Sequence, residues 1–357
     1  SGSEVIETTS KTSYNGNYGL NASWTIYNGS KRLNTIKQEK LNNQAANLDV
    51  ETSENSIQES IAQIYIQILY AAESVKVNEN TLQVSIAQRD RGQELLNVGS
   101  IAKSDLAQLE AQVSTDRYQL VTAQATLQDY KLQLKQLLEL DGENEMNVYL
   151  PALSDENVLL PLPTKKDVYM SALTLRPEIE ASKLSVEASE LGIDIAKAGY
   201  LPTISLSAGI GTNHTSGSDF TFGEQVKNGW NNSIGVSVSV PIFNNRQTKS
   251  AVQKAKLQRE TSLLSLLDEQ KTLYKTIEGL WLDANSAQQR YAAANEKLRS
   301  TQISYDLISE QFNLGMKNTV ELLTEKNNLL QAQQEQLQAK YMAILNTQLL
   351  KFYQSRR

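Results

Sequence analysis

Residues 17–26 read Asn17-Tyr18-Gly19-Leu20-Asn21-Ala22-Ser23-Trp24-Thr25-Ile26, with mostly apolar even positions and small or polar odd ones. Successive side chains of a strand point to opposite faces, so this stretch predicts a strand with one apolar and one polar face. Two further segments alternate in the same way. Ile204, Leu206, Ala208 and Ile210 alternate with Ser205, Ser207, Gly209 and Gly211. Ile234, Val236, Val238, Val240 and Ile242 alternate with Ser233, Gly235, Ser237, Ser239 and Pro241. A tilted strand needs roughly 10 residues to cross a bilayer, and apolar-out, polar-in alternation is the signature of a transmembrane β-barrel. Trp24, Tyr27, Trp230 and Phe243 stand near the strand ends, where interfacial aromatics belong. A sandwich with one wet face would alternate identically, and three such strands cannot close a barrel by themselves.

The rest of the chain is helical in pattern. Ile57, Ile61, Ile64, Ile68, Ala71 and Val75 alternate spacings of four and three. Leu106, Leu109, Val113, Leu120, Ala123, Leu127, Tyr130, Leu134 and Leu137 continue that rhythm, with polar Asp116 taking one seam position. Leu263, Leu266, Leu273, Ile277, Leu280, Ala284, Ala287, Tyr291, Leu298, Tyr305, Ile308 and Phe312 follow it again. A sustained 3.5-residue period implies coiled-coil packing with a left-handed supercoil. The halves also match each other. Asn97-Val98-Gly99 and Asn313-Leu314-Gly315 each interrupt a helical stretch, and the same offset pairs Gly19 with Gly235, Tyr65 with Trp281 and Leu106 with Leu322. An offset held constant over more than a hundred residues indicates a duplicated unit. Long coiled-coil hairpins joined to barrel-type strands point to a barrel shared between subunits.

Composition removes most competing classes. The 357 residues contain no cysteine and one histidine, His214, so disulfide frameworks, thiolate metal sites and histidine-pair metal sites are excluded. The net charge of −6 argues against a nucleic-acid partner. No apolar run approaches the ~18 residues of a transmembrane helix. Gly209-Ile210-Gly211 lacks the following helix of a dinucleotide site, and Met146, Met170, Met316 and Met342 are too scattered for a soft-metal relay. Asn28-Gly29-Ser30 and Asn213-His214-Thr215 match a glycosylation sequon but carry no meaning without a secretory context.

Lys31 to Asn97 is 67 residues. As helix that is roughly 100 Å, a reach suited to the depth of a periplasm. A return helix over about 101–138 covers part of that distance, and a further helix over about 178–198 completes it. The intervening stretch, with Gly142, Pro151, Pro161 and Pro163, is expected to be a non-helical belt on the outside of the hairpin. The second copy descends over about 246–313 and returns over 317–353. Its missing upper helix and a fourth strand are expected to precede Ser1, with Ser1–Thr12 as the loop entering the strand at 14–27.

Arg176-Pro177-Glu178-Ile179, Gly199-Tyr200-Leu201-Pro202-Thr203-Ile204-Ser205-Leu206 and the two tip turns make the chain resemble the TolC-like outer-membrane efflux protein family over nearly its whole length. The resemblance implies a mainly α fold with a β-barrel part. Three protomers would give four strands each to a twelve-stranded barrel, continued by an α-helical tunnel. Residues 1–30 and 200–245 would form strands and extracellular loops. Residues 31–138, 178–199 and 246–353 would form the periplasmic helical barrel, and 139–177 an equatorial belt. It further implies a periplasmic gate. Glu321 falls where the family has an acid six positions after the second tip glycine, Lys317 where it has a basic residue, and Ser104 and Asp105 where their partners stand. Phe312 departs from a tyrosine of the latch and Thr324 from a second acid. Asn97, Val98, Gly99, Asn313, Leu314 and Gly315 would meet a periplasmic adaptor, which joins an inner-membrane transporter. The implied protein is a homotrimeric passive exit duct in the outer-membrane lipid of a Gram-negative bacterium, with no catalytic residues, metal or cofactor. The competing reading is a soluble coiled-coil scaffold that binds partner proteins.

Overall fold

The computed structural model describes residues 12–143, 145–151 and 153–355. It is mostly helical with one small sheet. In chain order the elements are β1 (Asn15–Asn28), α1 (Lys31–Asn97), α2 (Lys103–Leu137), α3 (Lys165–Leu175), α4 (Pro177–Lys197), β2 (Thr203–Thr215), α5 (Phe222–Asn228), β3 (Asn231–Ser239), α6 (Gln247–Asn313) and α7 (Thr319–Gln354). The starts of β1, α1 and α2 are separated from those of β3, α6 and α7 by the offset that relates the two tip glycines. Both α1 and α6 are 67 residues long. All but Thr12 of the expected loop over Ser1–Thr12 lies outside the described residues.

The chain divides into two compact units, one of residues up to Ala46 with Ser182–Leu266, the other Asn47–Ala181 with Leu267 onward. The first holds an antiparallel sheet of order β1-β2-β3. Its register brings the apolar alternates together: Leu20 faces Ile210, Ala22 faces Ala208, Trp24 faces Leu206, and Leu206 in turn faces Val236. Ser23, Ser207 and Gly235 meet on the other face. Two details differ from the sequence pattern. A bulge at Ile26 sets Tyr27 opposite Ile204, so Tyr27 takes the apolar position expected of Ile26. The last strand ends at Ser239, ahead of Val240 and Ile242, because Pro241 has no N–H to give a ladder. No helix among the described residues is long and apolar enough to cross a membrane.

The second unit is helical. Leu69 packs with Leu337 and Tyr341, and Val158 with Ala287, Tyr291, Ala339 and Ala343. The alanines in this seam let α6 and α7 approach closely, while Tyr291 fills the remaining space. The stretch expected to be non-helical is so only in part. It contains α3, capped by the Thr164 hydroxyl accepting from the Asp167 N–H, and a short turn of 3₁₀ helix at Asp155–Asn157. The prolines that suggested an irregular belt all precede Thr164, leaving Lys165–Leu175 free to coil; Pro177 then opens α4, where its missing N–H costs nothing. The belt's irregular backbone is satisfied by side chains of the long helices. Tyr65 donates to the Tyr149 carbonyl (2.7 Å), Trp281 to that of Pro163 (2.9 Å), Gln288 to that of Leu160 (2.8 Å) and Lys340 to that of Leu153 (2.8 Å). Arg176 lies buried, bonded to Glu178 (2.9 Å) and 4.2 Å from the Tyr353 ring centroid.

Candidate functional site

The two tip turns share one geometry. Helix α1 ends with Gly99 at φ +75 and α6 with Gly315 at φ +76, left-handed conformations that only glycine adopts without cost. In the first turn the Gly99 N–H donates to Leu96 O and the Ser100 N–H to Leu95 O; in the second, Gly315 donates to Phe312 O and Met316 to Gln311 O. These paired bonds make a Schellman motif at each end, satisfying carbonyls that the helix leaves orphaned.

The returning helices start differently. The Asn318 side chain accepts from the Glu321 N–H (2.9 Å) while the Glu321 carboxylate accepts from the Asn318 N–H (3.2 Å), a full capping box. In the first turn Ala102 offers no side-chain acceptor, so only the reciprocal half remains, with Asp105 accepting from the Ala102 N–H at 2.9 Å. Lys317 donates to the other oxygen of Glu321 at 2.7 Å. This bond, joined by the one from Asn318, holds the Glu321 carboxyl below the usual carboxylate range. Ser104 is exposed, and among the described residues no hydrogen bond joins it to Asp105.

The turns enclose a hollow of about 380 Å³ with Asp105 and Ile101 from one and Lys317 and Glu321 from the other. The structure thus brings together the two acids and the lysine expected at a gate. Phe312 also borders it, but at 3% exposure the ring is packing rather than a free latch. Val98 and Leu314, equivalent positions of the two turns, are 74% and 70% exposed.

One constellation near the tips escaped the sequence reading. Asp116 is buried and accepts from both Lys326 and Ser85, joining α1, α2 and α7. Gln112 donates to its other oxygen at 2.9 Å and to Asn327 at 3.3 Å. The signal was a carboxylate on an otherwise apolar seam, which requires a buried partner. Among the described residues no group of three or more His, Cys, Asp and Glu is arranged to hold a metal ion.

Comparison with known proteins gives a consistent result. The family described as "Outer membrane efflux protein" matches residues 1–139 and 168–352. The chain is 24% identical over 333 residues to the outer membrane efflux protein BepC of Brucella suis, covering 92% of this chain and 70% of BepC. It is 25% identical over 311 residues to the outer membrane protein TolC of Escherichia coli, covering 83% of this chain and 60% of TolC. Among solved structures it superposes on CusC with a TM-score of 0.83 at 19% identity, covering 99% of this chain and 81% of that one. The Campylobacter jejuni CmeC outer membrane channel follows with a TM-score of 0.77 at 18% identity, covering 97% and 79%.

Proposed function

The chain belongs to the outer membrane efflux protein family, and from that premise we propose that three copies close a single exit duct through the outer membrane and periplasm. It is an outer-membrane efflux channel, and the soluble scaffold reading gives way to that. The observation that carries the assembly is the sheet. Its apolar face is bare, with Ile234 84% exposed, and its outer strands β1 and β3 each have an unpaired edge. Backbone polar groups cannot be left unpaired in hydrocarbon, so these edges need further strands, and closing a barrel from so few draws them from other copies. At four strands per protomer the closed barrel has twelve, of which β1–β3 are three. A second observation supports association. Leu257, Leu264 and Leu267 form an exposed apolar stripe on α6 at spacings of seven and three, the spacing of a coiled-coil seam.

In this reading the matching element starts are two copies of one strand–hairpin unit. Strands and loops lie within 1–30 and 200–245, the helical wall in 31–138, 178–199 and 246–353, and the belt in 139–177. Asp105 and Glu321, with Lys317 and Ser104 beside them, narrow the lumen at the tips. Asn97-Val98-Gly99 and Asn313-Leu314-Gly315 dock a periplasmic adaptor; exposed Val98 and Leu314 give that contact an apolar centre. The duct is passive and the inner-membrane transporter supplies the energy. Relatives are named for cargo as unlike as pyoverdine and cations, so cargo is set by that transporter rather than by the duct. Light scattering in detergent tests the assembly: the expected mass is three times that of the protomer, and a stable folded monomer would refute it.

A further inference from the structure

Helix α5 lies in the connection between β2 and β3, at the strand ends away from those where α1, α4 and α6 attach. Seven residues are too few for a helix to persist unaided in water. This one is pinned. Thr221 and Glu224 form a capping box at its start, the Thr212 hydroxyl donates to Val226 O (2.8 Å), and Gln225 accepts from the Thr215 N–H (2.9 Å) and donates to Thr215 O (3.2 Å). The Phe222 ring meets Tyr18 edge-on at 6.2 Å and His214 at 5.0 Å. Tyr18, Thr212 and His214 are all even-numbered positions of β1 and β2, on the face that carries Leu20, Ile210 and Ile234. The body of the helix therefore leans on the apolar face, while Asn213 of the other face approaches its C-cap, Gly229.

Phe220, Phe222 and Trp230 remain more than half exposed around it, with Asp219, Glu224 and Lys227 interspersed. Aromatic rings beside charged groups favour the headgroup level of a bilayer, where a charge costs far less than at the midplane. We propose that the β2–β3 connection, centred on α5, docks on the outer leaflet at headgroup depth, outside the channel wall, and does not lid its mouth. This rests on reading the even face as lipid-facing. The occupant follows from continuity: the patch extends, without a break in face, the only apolar sheet surface the described residues offer to the outer membrane's lipid.

Tryptophan quenching tests it in the full-length chain, reconstituted in phosphatidylcholine vesicles brominated at a shallow or a deep acyl position. The chain has three tryptophans, and the share of Trp230 is the difference between wild type and Trp230→Phe. Shallow bromine should quench that share about twofold more than deep bromine, and aqueous iodide only weakly. Strong iodide quenching without bromine quenching would overturn the proposal. Trp24, read through Trp24→Phe, separates the two ideas because it lies on the same face, opposite Leu206 and towards the strand ends away from α5. If neither bromine quenches Trp24, the lipid-facing assignment itself fails and the docking with it. If Trp24 is quenched and Trp230 is not, the barrel stands and the docking fails. Phe220→Ser with Phe222→Ser should cut the shallow quenching of Trp230 at least about twofold at unchanged single-channel conductance; a rise in conductance with unchanged quenching would make α5 a lid and refute the proposal.

Discussion

Asp116 and Lys326 form a buried ion pair between α2 and α7. Both are almost wholly buried, and burial pushes the Lys326 ammonium below its ordinary range, with the Asp116 carboxylate opposing that shift. Removing one partner strands the other in a dry seam. Lys326→Met should therefore cost about 3–5 kcal/mol, while Lys326→Met with Asp116→Leu should recover most of it. Thermal unfolding followed by helical circular dichroism reads both, and equal midpoints for wild type and Lys326→Met would contradict this account. Glu321 differs in kind, being a surface cap. Its carboxyl is depressed in the folded state, so its contribution is fully present above the ordinary glutamate range and lost as pH falls through the lower folded value. Conductance should thus hold steady down through pH ~4.5 in wild type. Lys317→Met should shift the acid transition upward, because the largest cause of the depression is gone; an unmoved transition would show that Lys317 does not hold Glu321.

At the scale of elements the long helices were legible because their signals are local and repeated. Lys31–Asn97 is bounded by the Gly99 turn and a strand, and the heptad over Ile57–Val75 lies within it. The bulge at Ile26 was not legible, since alternation continues through it and only the partner strand reveals the slip. Helix α3 was masked by the prolines before it, and α5 by its brevity. At the candidate site Asp105, Lys317 and Glu321 were foreseen as a group, and the structure gathers them about one hollow. Lys326 was not foreseen: its partner is remote in sequence, and only packing of α2 against α7 makes a lysine tolerable there. The sheet makes its own prediction. Ile234 and Ser233 are neighbours on opposite faces at mid-sheet, where Ile234 stands opposite Ala208, so Ile234→Lys near the midplane should cost ~2–4 kcal/mol of folded trimer and Ser233→Lys far less. Semi-native electrophoresis after stepwise heating measures the loss, and equal losses would remove the assignment of faces.

At the scale of the whole molecule, the proposed trimer accounts for three features of the single chain. Among the described residues its sheet has two bare edges and its α6 an exposed apolar stripe, and in the proposed trimer a threefold axis would make rings of its tip acids. Rings of acid at a constriction attract cations and repel anions. The capping bonds and Lys317 hold these carboxylates in place within their own turns, and in the proposed duct they stand at its narrowest point. Single-channel recording in a planar bilayer tests that claim most directly, comparing wild type with Asp105→Ala plus Glu321→Ala. Wild type should give small, cation-selective steps, and the double variant larger steps with weaker cation selectivity. Absence of channels, or conductance and selectivity that stay at wild-type values in the variant, would contradict a duct narrowed at Asp105 and Glu321.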